Sequence, residues 1–395
     1  MQGLKKYFQG DRVIWLILLV LAMFSVLAVY SASGMLAYKF QAGNTTYYLV
    51  KHIALLALAF VVVFATHKIP YNYFSKLSEL FFYLSIILLF LTFLIGANLN
   101  DASRWLTLPG GLSFQTSDFA KIVLVTYMAR IFAKRKDKVH NFKDALRIFM
   151  FPVLIVCGLI FPADFSTAIL LFATIVVMMF VARLKFKYIF GMIGVAMGAA
   201  ALFVLIALAM PDSGRVDTWK SRIESFTSGD AESNFQADHS RIAIASGGII
   251  PNGPGKSVQR NILPHPYSDF IYAIIVEEYG ILLGGILIPL LYLILFNRSL
   301  KIVRKCPGSF SALMVSGLTI LLVMQAFINM MVAVNLLPVT GQTLPFVSMG
   351  GTSMIFIGIA FGLILSVSRT VQEAELQHEL NPQAAQQKEE FNNEI

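Results

Sequence analysis

Long runs of apolar residues constrain the fold of this chain more than any other feature of its sequence. Most of them extend over roughly 17 to 25 residues, enough for an α-helix to cross about 30 Å of hydrocarbon, whereas strands of a membrane barrel would alternate over about ten. With 57% hydrophobic and only 13% charged residues, a soluble globular protein is excluded. The sequence predicts an all-α, polytopic membrane protein with about ten spans, at 13–32, 47–66, 78–96, 118–133, 147–161, 165–182, 188–210, 270–296, 309–334 and 350–368.

The distribution of basic residues orients these spans. Ten helices place both chain ends on one side of the membrane, and the segments on that side carry 21 of the 31 Lys and Arg residues. Because cytoplasmic loops of membrane proteins are enriched in Lys and Arg, both termini are predicted to be cytoplasmic. The net charge of +9 is attributed to these loops, and no nucleic-acid partner is expected.

The chain divides into a membrane domain, residues 1–369, and a polar tail, residues 370–395. The tail is rich in Gln, Glu and Asn and is predicted to be disordered in the cytoplasm. Within it, residues 370–380 could form a short amphipathic helix or continue the last span. The membrane domain contains one long outside loop, residues 211–269, which precedes the eighth span and is the only segment long enough to build an extramembrane feature.

The outside loop after the third span carries Arg104 and Trp105, followed by Lys121 at the start of the fourth span. An Arg-Trp pair between two spans is typical of an interfacial anchor, and a substrate site is the less favoured alternative. Lys121 lies about one turn inside the span, where an unpaired cation costs roughly 2.5–3.5 kcal/mol. It therefore requires an anionic partner. Asp118, just before it, fits a helix N-cap.

Two other outside segments have ordinary structural explanations beside functional ones. Asp164 follows Pro162 at a tight reversal between spans, which favours a helix cap over a catalytic role. Residues 245–257 are rich in Gly and could approach an anion or form a flexible turn; a nucleotide P-loop is excluded because Ile250 replaces a required Gly. This half of the long loop is basic and contains Arg241, Lys256 and Arg260.

Acidic residues mark the start of the eighth span. Ser268 and Asp269 precede its apolar run and fit an N-cap, whereas the adjacent Glu277 and Glu278 lie inside the span, where carboxylates are rare. Glu277 is eight residues past Asp269, about 12 Å along a helix. It could line the same cavity as Asp269 or pair with Lys121 or Arg104.

The last outside loop, residues 335–353, is full of helix breakers and contains no Lys, Arg, Asp or Glu. Irregular backbone at membrane depth is tolerated only where it is buried or lines a cavity. Ser348 in this loop is therefore a candidate substrate contact. The two cysteines and six histidines show no metal-ligand spacing, so no metal site is predicted from them.

At these residues the chain resembles the SEDS family of bacterial cell-wall glycosyltransferases, the FtsW/RodA proteins. Four segments carry the resemblance, and the last two are long and specific: Arg104-Trp105 through Lys121, Pro162-Ala-Asp164-Phe-Ser-Thr-Ala, Ala245-Ser-Gly-Gly through Asp269-Phe-Ile-Tyr-Ala and Glu277-Glu278-Tyr-Gly280, and Leu337-Pro-Val-Thr-Gly through Ser348-Met-Gly-Gly-Thr-Ser. Residues 255–259 are more similar to the division-specific FtsW branch than to the elongation-specific RodA branch.

The resemblance implies a ten-helix enzyme of the bacterial cytoplasmic membrane that polymerises lipid II on its outer face, at the division septum for the FtsW branch. Its catalytic Asp matches Asp269. The family commonly has Pro-Glu-x-His-Thr-Asp at this position, and this chain has Pro264-His-Pro-Tyr-Ser-Asp269, so any role of that Glu cannot be transferred. The family's Gln-Pro-Ser-Glu is also changed here, to Gln115-Thr-Ser-Asp118. The expected partners are a class B penicillin-binding transpeptidase and other membrane proteins of the division or elongation complex.

Glycan polymerisation requires a base for the acceptor hydroxyl and cations for the departing lipid pyrophosphate. Asp269 would be the base, and the candidate substrate-binding residues are Arg104, Trp105, Lys121, Arg241, Lys256, Arg260, Glu277 and Ser348. No cofactor is evident, although a divalent cation, Mg or Mn, is compatible with this chemistry. Two alternatives stay open: a flippase for the same lipid-linked precursor and a division scaffold without catalysis.

Overall fold

A computed structural model describes residues 9–40, 43–95, 97–99, 102–107, 113–136, 139, 141–209 and 235–380. Its elements are mostly helices. We number them α1 Arg12–Ala32, α2 Gly34–Phe40, α3 Thr45–Lys68, α4 Tyr71–Ile95, α5 Thr116–Arg135, α6 Phe142–Ala145, α7 Phe151–Ile160, α8 Phe165–Val181, α9 Phe186–Ala209, α10 Phe235–Gly247, α11 Ile271–Gly280, α12 Leu287–Arg304, α13 Ser309–Ala333 and α14 Ser353–Leu380.

Each of the ten predicted spans lies on a helix, so the prediction of an all-α membrane protein is confirmed. Seven helices in the described part of the chain are long and apolar enough to cross a membrane. The other three predicted spans fall on shorter or more charged helices. Helix α5 is charged at both ends, α7 has ten residues after a π-helical stretch at Leu146–Met150, and α8 has 17 residues. A second π-helical stretch, Ile281–Ile286, joins α11 to α12.

Helices α13 and α14 form the centre of the bundle. Their most apolar windows are 72% and 83% buried, against 28% for α3 and α4 at the periphery. Two glycines of α14 let it approach α3 closely. A Cβ at Gly358 would lie 3.0 Å from the Ala59 carbonyl oxygen, and one at Gly362 would lie 2.6 Å from Thr66 Cβ. Small residues four apart are a common contact between membrane helices, because they admit a second backbone.

The structure adds two elements that the sequence did not predict, and it shows residues 370–380 as a continuation of the last span, one of the two alternatives for that segment. The loop after α4 forms a small antiparallel sheet of β1 Ala97–Leu99, β2 Ala102–Thr107 and β3 Ser113–Gln115, in which Trp105 pairs with Gln115. The second half of the long outside loop forms α10. Helix α14 continues to Leu380, so the predicted boundary at residue 369 falls inside a helix. The first part of the long loop, 211–234, and the tail from 381 lie outside the described residues.

Candidate active site

A cavity of about 480 Å³ opens where several loops meet at one end of the bundle. It lies between β2 and β3, the first turns of α5 and α8, the segment before α11, and the loop from α13 to α14. Its polar lining includes three carboxylates and one lysine; the lining residues include Gln115, Asp118, Lys121, Asp164, Thr167, His265, Ser268, Asp269, Gly341 and Gln342. The cavity therefore joins segments that are up to 248 positions apart, from Trp105 to Ser353, in a single polar chamber.

Asp269 lies in the turn before α11, half-buried in this cavity. Ser268 Oγ donates a hydrogen bond to its Oδ1 at 2.8 Å. Asn329 fixes the backbone of Asp269, because its Nδ2 donates to the Asp269 carbonyl oxygen at 2.8 Å and to the Gln342 carbonyl oxygen at 2.7 Å. Gly341 approaches the carboxylate from the other side, where a Cβ would stand 3.7 Å from Oδ2. The φ of Gly341 is +70°, a conformation that favours glycine.

The N-cap interpretation of Asp269 does not agree with the structure. The N-cap of α11 is Phe270, and no side chain caps this helix. The backbone before α11 follows a tight turn in which the Asp269 N–H donates to the His265 carbonyl oxygen at 3.2 Å. Asp269 thus lines the cavity and does not cap α11.

Lys121 has the anionic partner that its position demands. Its Nζ lies 2.8 Å from Asp118 Oδ1, and both side chains are almost fully buried. A second acceptor is Gln325 Oε1 at 3.3 Å, and Gln325 Nε2 in turn donates to the Thr343 carbonyl oxygen at 3.0 Å. Asp118 therefore serves Lys121 and not the helix end, since the N-cap of α5 is Gln115 without a side-chain hydrogen bond.

Asp164 is the cap that the sequence predicts, and it also lines the cavity. Its Oδ1 accepts a hydrogen bond from the Thr167 N–H at 3.1 Å at the start of α8. Gln342 Nε2 donates to Thr167 Oγ1 at 2.8 Å and so ties this turn to the loop between α13 and α14. The cap explains the position of Asp164 without a catalytic role.

Several predicted substrate contacts lie outside this cavity lining. Arg241 is exposed on α10 and pairs with Asp238 at 3.7 Å, and Lys256 is exposed in the following loop. Arg260 donates to Ser31 Oγ at 2.9 Å.

Ser348 is buried and donates to the Ser268 carbonyl oxygen at 2.7 Å, so it supports the turn before Asp269. Trp105 lines the cavity, whereas the side chain of Arg104 lies outside the described residues.

The spacing along the helix allowed Glu277 to pair with Lys121, but the structure does not show this pair. Glu277 instead binds the loop that precedes α11. Its side chain accepts from Ser257 Oγ and from the Val258 N–H at 2.9 Å. The neighbouring Glu278 accepts from Ser31 Oγ of α1 and from the Ser257 N–H at 3.3 Å. These two carboxylates fix residues 257–259 against α1 and α11 and stand apart from the cavity lining.

Sequence reasoning missed the amides of α13 as parts of this site. Gln325 and Asn329 lie four residues apart inside an apolar helix, both are buried, and they contact Lys121 and the Asp269 backbone respectively. A pair of amides at this spacing shares one helix face and is costly in hydrocarbon without partners. Two amides four residues apart in an apolar helix are visible in the sequence, and they indicate a helix face that packs against other polar groups.

Two other properties bear on the chemistry. Burial raises the pKa of Tyr267, and the nearby charge of Asp269 raises it further, so this phenol keeps its proton at neutral pH. The Tyr267 hydroxyl lies 3.1 Å from His265 Nδ1 at the cavity rim. Among the described residues, no group of three or more His, Cys, Asp or Glu is arranged to hold a metal ion.

Residues 11–373 match the family FTSW_RODA_SPOVE, described as cell cycle protein. A "Probable peptidoglycan glycosyltransferase FtsW" of Geobacter sp. strain M18 is 33% identical over 376 residues, which cover 92% of this chain and 98% of the relative. A protein of the same name from Haemophilus influenzae is 32% identical over 364 residues, 90% of either chain.

Two solved structures share the fold. The rod shape determining protein RodA of Thermus thermophilus superposes with a TM-score of 0.66 at 23% identity, covering 92% of this chain and 98% of that one. A chain of the structure described as "Structural coordination of polymerization and crosslinking by a peptidoglycan synthase complex" superposes with a TM-score of 0.70 at 23% identity. This match also covers 92% of this chain and 98% of the other chain. The match over residues 11–373 and the identity to full-length relatives show that this chain belongs to the FtsW/RodA/SpoVE family of cell cycle proteins.

Proposed function

We propose that this protein is a peptidoglycan glycosyltransferase that polymerises lipid II into glycan strands, with Asp269 as the general base. The observation that carries the proposal is the single cavity in which Asp269 and the buried pair of Lys121 and Asp118 meet. A polar chamber at the end of an apolar bundle suits a substrate with a sugar headgroup and a lipid tail. The relatives that match 90% or more of this chain carry the name of this activity.

In the proposed reaction, an acceptor sugar hydroxyl attacks the anomeric carbon of the donor. Asp269 takes the hydroxyl proton as the new C–O bond forms, and the bond to the lipid pyrophosphate breaks with its electron pair on the departing oxygen. Attack from the face opposite the leaving group inverts the anomeric centre, so one carboxylate is sufficient. Ser268 and Asn329 hold Asp269 in place through the side chain and the backbone respectively.

Lys121 is the residue we assign to the departing pyrophosphate. An ammonium group has three N–H donors, and the described structure gives Lys121 two acceptors, Asp118 and Gln325. One donor is left for a phosphate oxygen. Because Asp118 holds the Nζ of Lys121 at 2.8 Å, this donor is positioned before the reaction starts. Of the cations suggested by the sequence, Arg241 and Lys256 are exposed elsewhere.

We also infer the location and partners from this function. The protein would lie in the bacterial cytoplasmic membrane, at the septum, with both termini in the cytoplasm and the cavity on the outer face. Its partner would be a class B penicillin-binding transpeptidase, with other membrane proteins of the division complex. The support is the likeness to FtsW relatives and to a chain of a peptidoglycan synthase complex.

A substitution of Asp269 by Asn tests the assignment. Asn keeps the size and hydrogen-bonding capacity of Asp but cannot accept a proton at neutral pH. Purified Asp269→Asn protein should bind lipid II normally and form glycan strands at a rate lower by about 10²-fold or more. The assay resolves products by length, with and without a transpeptidase whose own active site is blocked. Asp238→Asn, which changes an exposed carboxylate of α10, is the matched control and should stay within about twofold.

The same assay separates the alternatives. Polymerisation by Asp269→Asn near the wild-type rate would contradict the general-base role. A wild-type protein that makes no polymer but moves labelled lipid II across liposomes would be a flippase, and one that does neither would be a scaffold. Titration with EDTA followed by Mg or Mn measures any need for a divalent cation.

A further inference from the structure

A second cavity, of about 620 Å³, lies at the end of the molecule opposite the candidate active site. The first turn of α1, the last turns of α12 and the C-terminal part of α14 line it. Helix α14 passes both cavities, since Ser353 lines the first and Ser368 lines the second. About 22 Å of helix separate these two serines, so the cavities lie near opposite faces of the membrane.

The lining of this second cavity is strongly basic. Five cationic side chains and two acidic ones face it: Arg12, Arg298, Lys301, Arg304 and Lys305 against Asp11 and Glu375. Lys305 pairs with Glu375 at 2.6 Å, and Arg298 lies 3.8 Å from Asp11 Oδ2. Asp11 is already engaged, because its Oδ1 caps α1 by accepting from the Val13 N–H at 2.8 Å.

The other three cations have no acidic partner within the described ranges. Arg12, Lys301 and Arg304 are exposed, and no carboxylate there forms an ion pair with them. Basic residues near a membrane face are expected from topology alone. Topology demands only their number on one side, however, and not that two segments nearly 290 positions apart in the sequence bring them around one cavity.

The position and the mixed lining of the cavity indicate an amphipathic anion. Arg12 begins one membrane span and Arg304 ends another, which places both at the level of the lipid headgroups. Val13, Ile302 and Val371 add apolar surface to the same cavity. Basic pockets between membrane helices on the cytoplasmic side suit anionic headgroups, whereas a free inorganic phosphate would gain nothing from the apolar side chains.

We propose that this cavity binds the phosphate headgroup of an anionic membrane phospholipid. The phosphate contacts Arg12, Lys301 and Arg304, and the glycerol and upper acyl chains contact the three apolar residues. Such a site fixes the ends of α1, α12 and α14 to one another, and α14 continues from there to Ser353 at the rim of the candidate active site.

The test measures lipid retention by the full chain. The protein is purified in detergent, mixed with phosphatidylglycerol or phosphatidylcholine, and the bound lipid is counted by native mass spectrometry. The triple variant Arg12→Gln, Lys301→Gln, Arg304→Gln should bind phosphatidylglycerol about 100-fold more weakly than wild type, at about fivefold per cation. The matched control Lys134→Gln, Arg135→Gln, Lys136→Gln removes three exposed cations from the end of α5 and should bind as wild type does.

Four results would overturn the proposal. Equal loss of lipid from both triple variants would reduce the effect to general surface charge. Equal retention of phosphatidylcholine by wild type would remove the anionic headgroup from the argument. If inorganic phosphate raised the melting temperature of the protein as much as phosphatidylglycerol does, the ligand would be free phosphate. A tenfold or greater rise in lipid binding after truncation at Leu380 would assign the cavity to the acidic tail. Arg304→Gln alone, a surface change, serves if the triple variant fails to fold.

Discussion

Lys121 is the side chain whose surroundings most restrict the chemistry of the cavity. A lone lysine at the centre of a membrane helix costs roughly 2.5–3.5 kcal/mol, and Asp118 offsets part of this by holding Nζ at 2.8 Å. Because both groups are buried, removal of either leaves an uncompensated charge that destabilises the fold. The structural and the catalytic contributions of Lys121 therefore have to be separated by experiment.

The comparison of single and double variants makes that separation. Lys121→Ala is expected to lower glycan polymerisation by about 10²-fold, the scale of one lost donor to a developing anion. Lys51→Ala, which removes an exposed lysine of α3, should stay within about twofold. Asp118→Asn together with Lys121→Gln removes both charges, so thermal stability should recover relative to Asp118→Asn alone while polymerisation stays low.

An active double variant would show that the pair is structural only. Equal, small effects of Lys121→Ala and Lys51→Ala would remove Lys121 from the site. Stability is read from thermal unfolding in detergent and polymerisation from strand length, so the two outcomes are measured independently.

At this scale the sequence predicts which residues are unusual better than it predicts their partners. It indicated that Lys121 needs an anion and that Asp164 caps a helix, because both inferences depend on neighbours within one helical turn. It could not place Glu277, whose partners at 257–259 lie in a separate loop. The choice of Asp269 among the carboxylates came from resemblance, since a half-buried turn before a helix has no local signature.

Among the elements, α10 and α11 show how a predicted loop becomes part of the scaffold. Gly247, the last residue of α10, lies against the backbone of α11, where a Cβ would be only 2.2 Å from the Val276 carbonyl oxygen. Gly280 has a φ of +75° and faces the Gly248 carbonyl oxygen, which accepts the Ile281 N–H at 2.9 Å. This contact and the two glutamates position α11, whose N-terminus follows Asp269.

Gly247→Ala is expected to separate α10 from α11. The new methyl group cannot be accommodated without a shift of backbone, so we expect a loss of about 1–3 kcal/mol and a lower melting temperature. Gly194→Ala in α9 is the matched control, because a Cβ there meets nothing within 4 Å. It should leave stability unchanged or raise it slightly, by about 1 kcal/mol at most. Both are measured by thermal unfolding of the purified proteins in the same detergent.

If Gly247→Ala melted at the wild-type temperature, the close approach of α10 to α11 would not contribute to stability. The sequence did not predict this contact because α10 lies in a segment of mixed composition, without the apolar run that revealed the spans. From the sequence, the glycines of residues 245–257 are compatible with a loop that approaches an anion or with a flexible turn. In the structure they permit helix–backbone contact instead, a tertiary reason that composition cannot supply.

For the whole molecule, the sequence predicts the membrane helices well because hydrocarbon length and backbone satisfaction leave few alternatives. It does not predict which helices are central, since α13 and α14 are no more apolar than the peripheral α3 and α4. Centrality instead follows from packing details such as Gly358 and Gly362 against α3. The small sheet at 97–115 was missed because its strands have three to six residues.

Orientation of the molecule in the membrane is the last prediction, and it decides whether the proposed chemistry has access to its substrate. The structure places the candidate active site at the start of α5 and the basic end of α5 about 30 Å away, at the other face. With the excess of Lys and Arg inside, reporters that work only in the cytoplasm should be active when fused at 136–142, at 303 and after 380, and inactive near 230. Alkaline phosphatase, active only outside, should give the reverse pattern. A cytoplasmic signal at 230 would place the cavity in the cytoplasm, and polymerisation on the outer face would then be incompatible with Asp269 as its base.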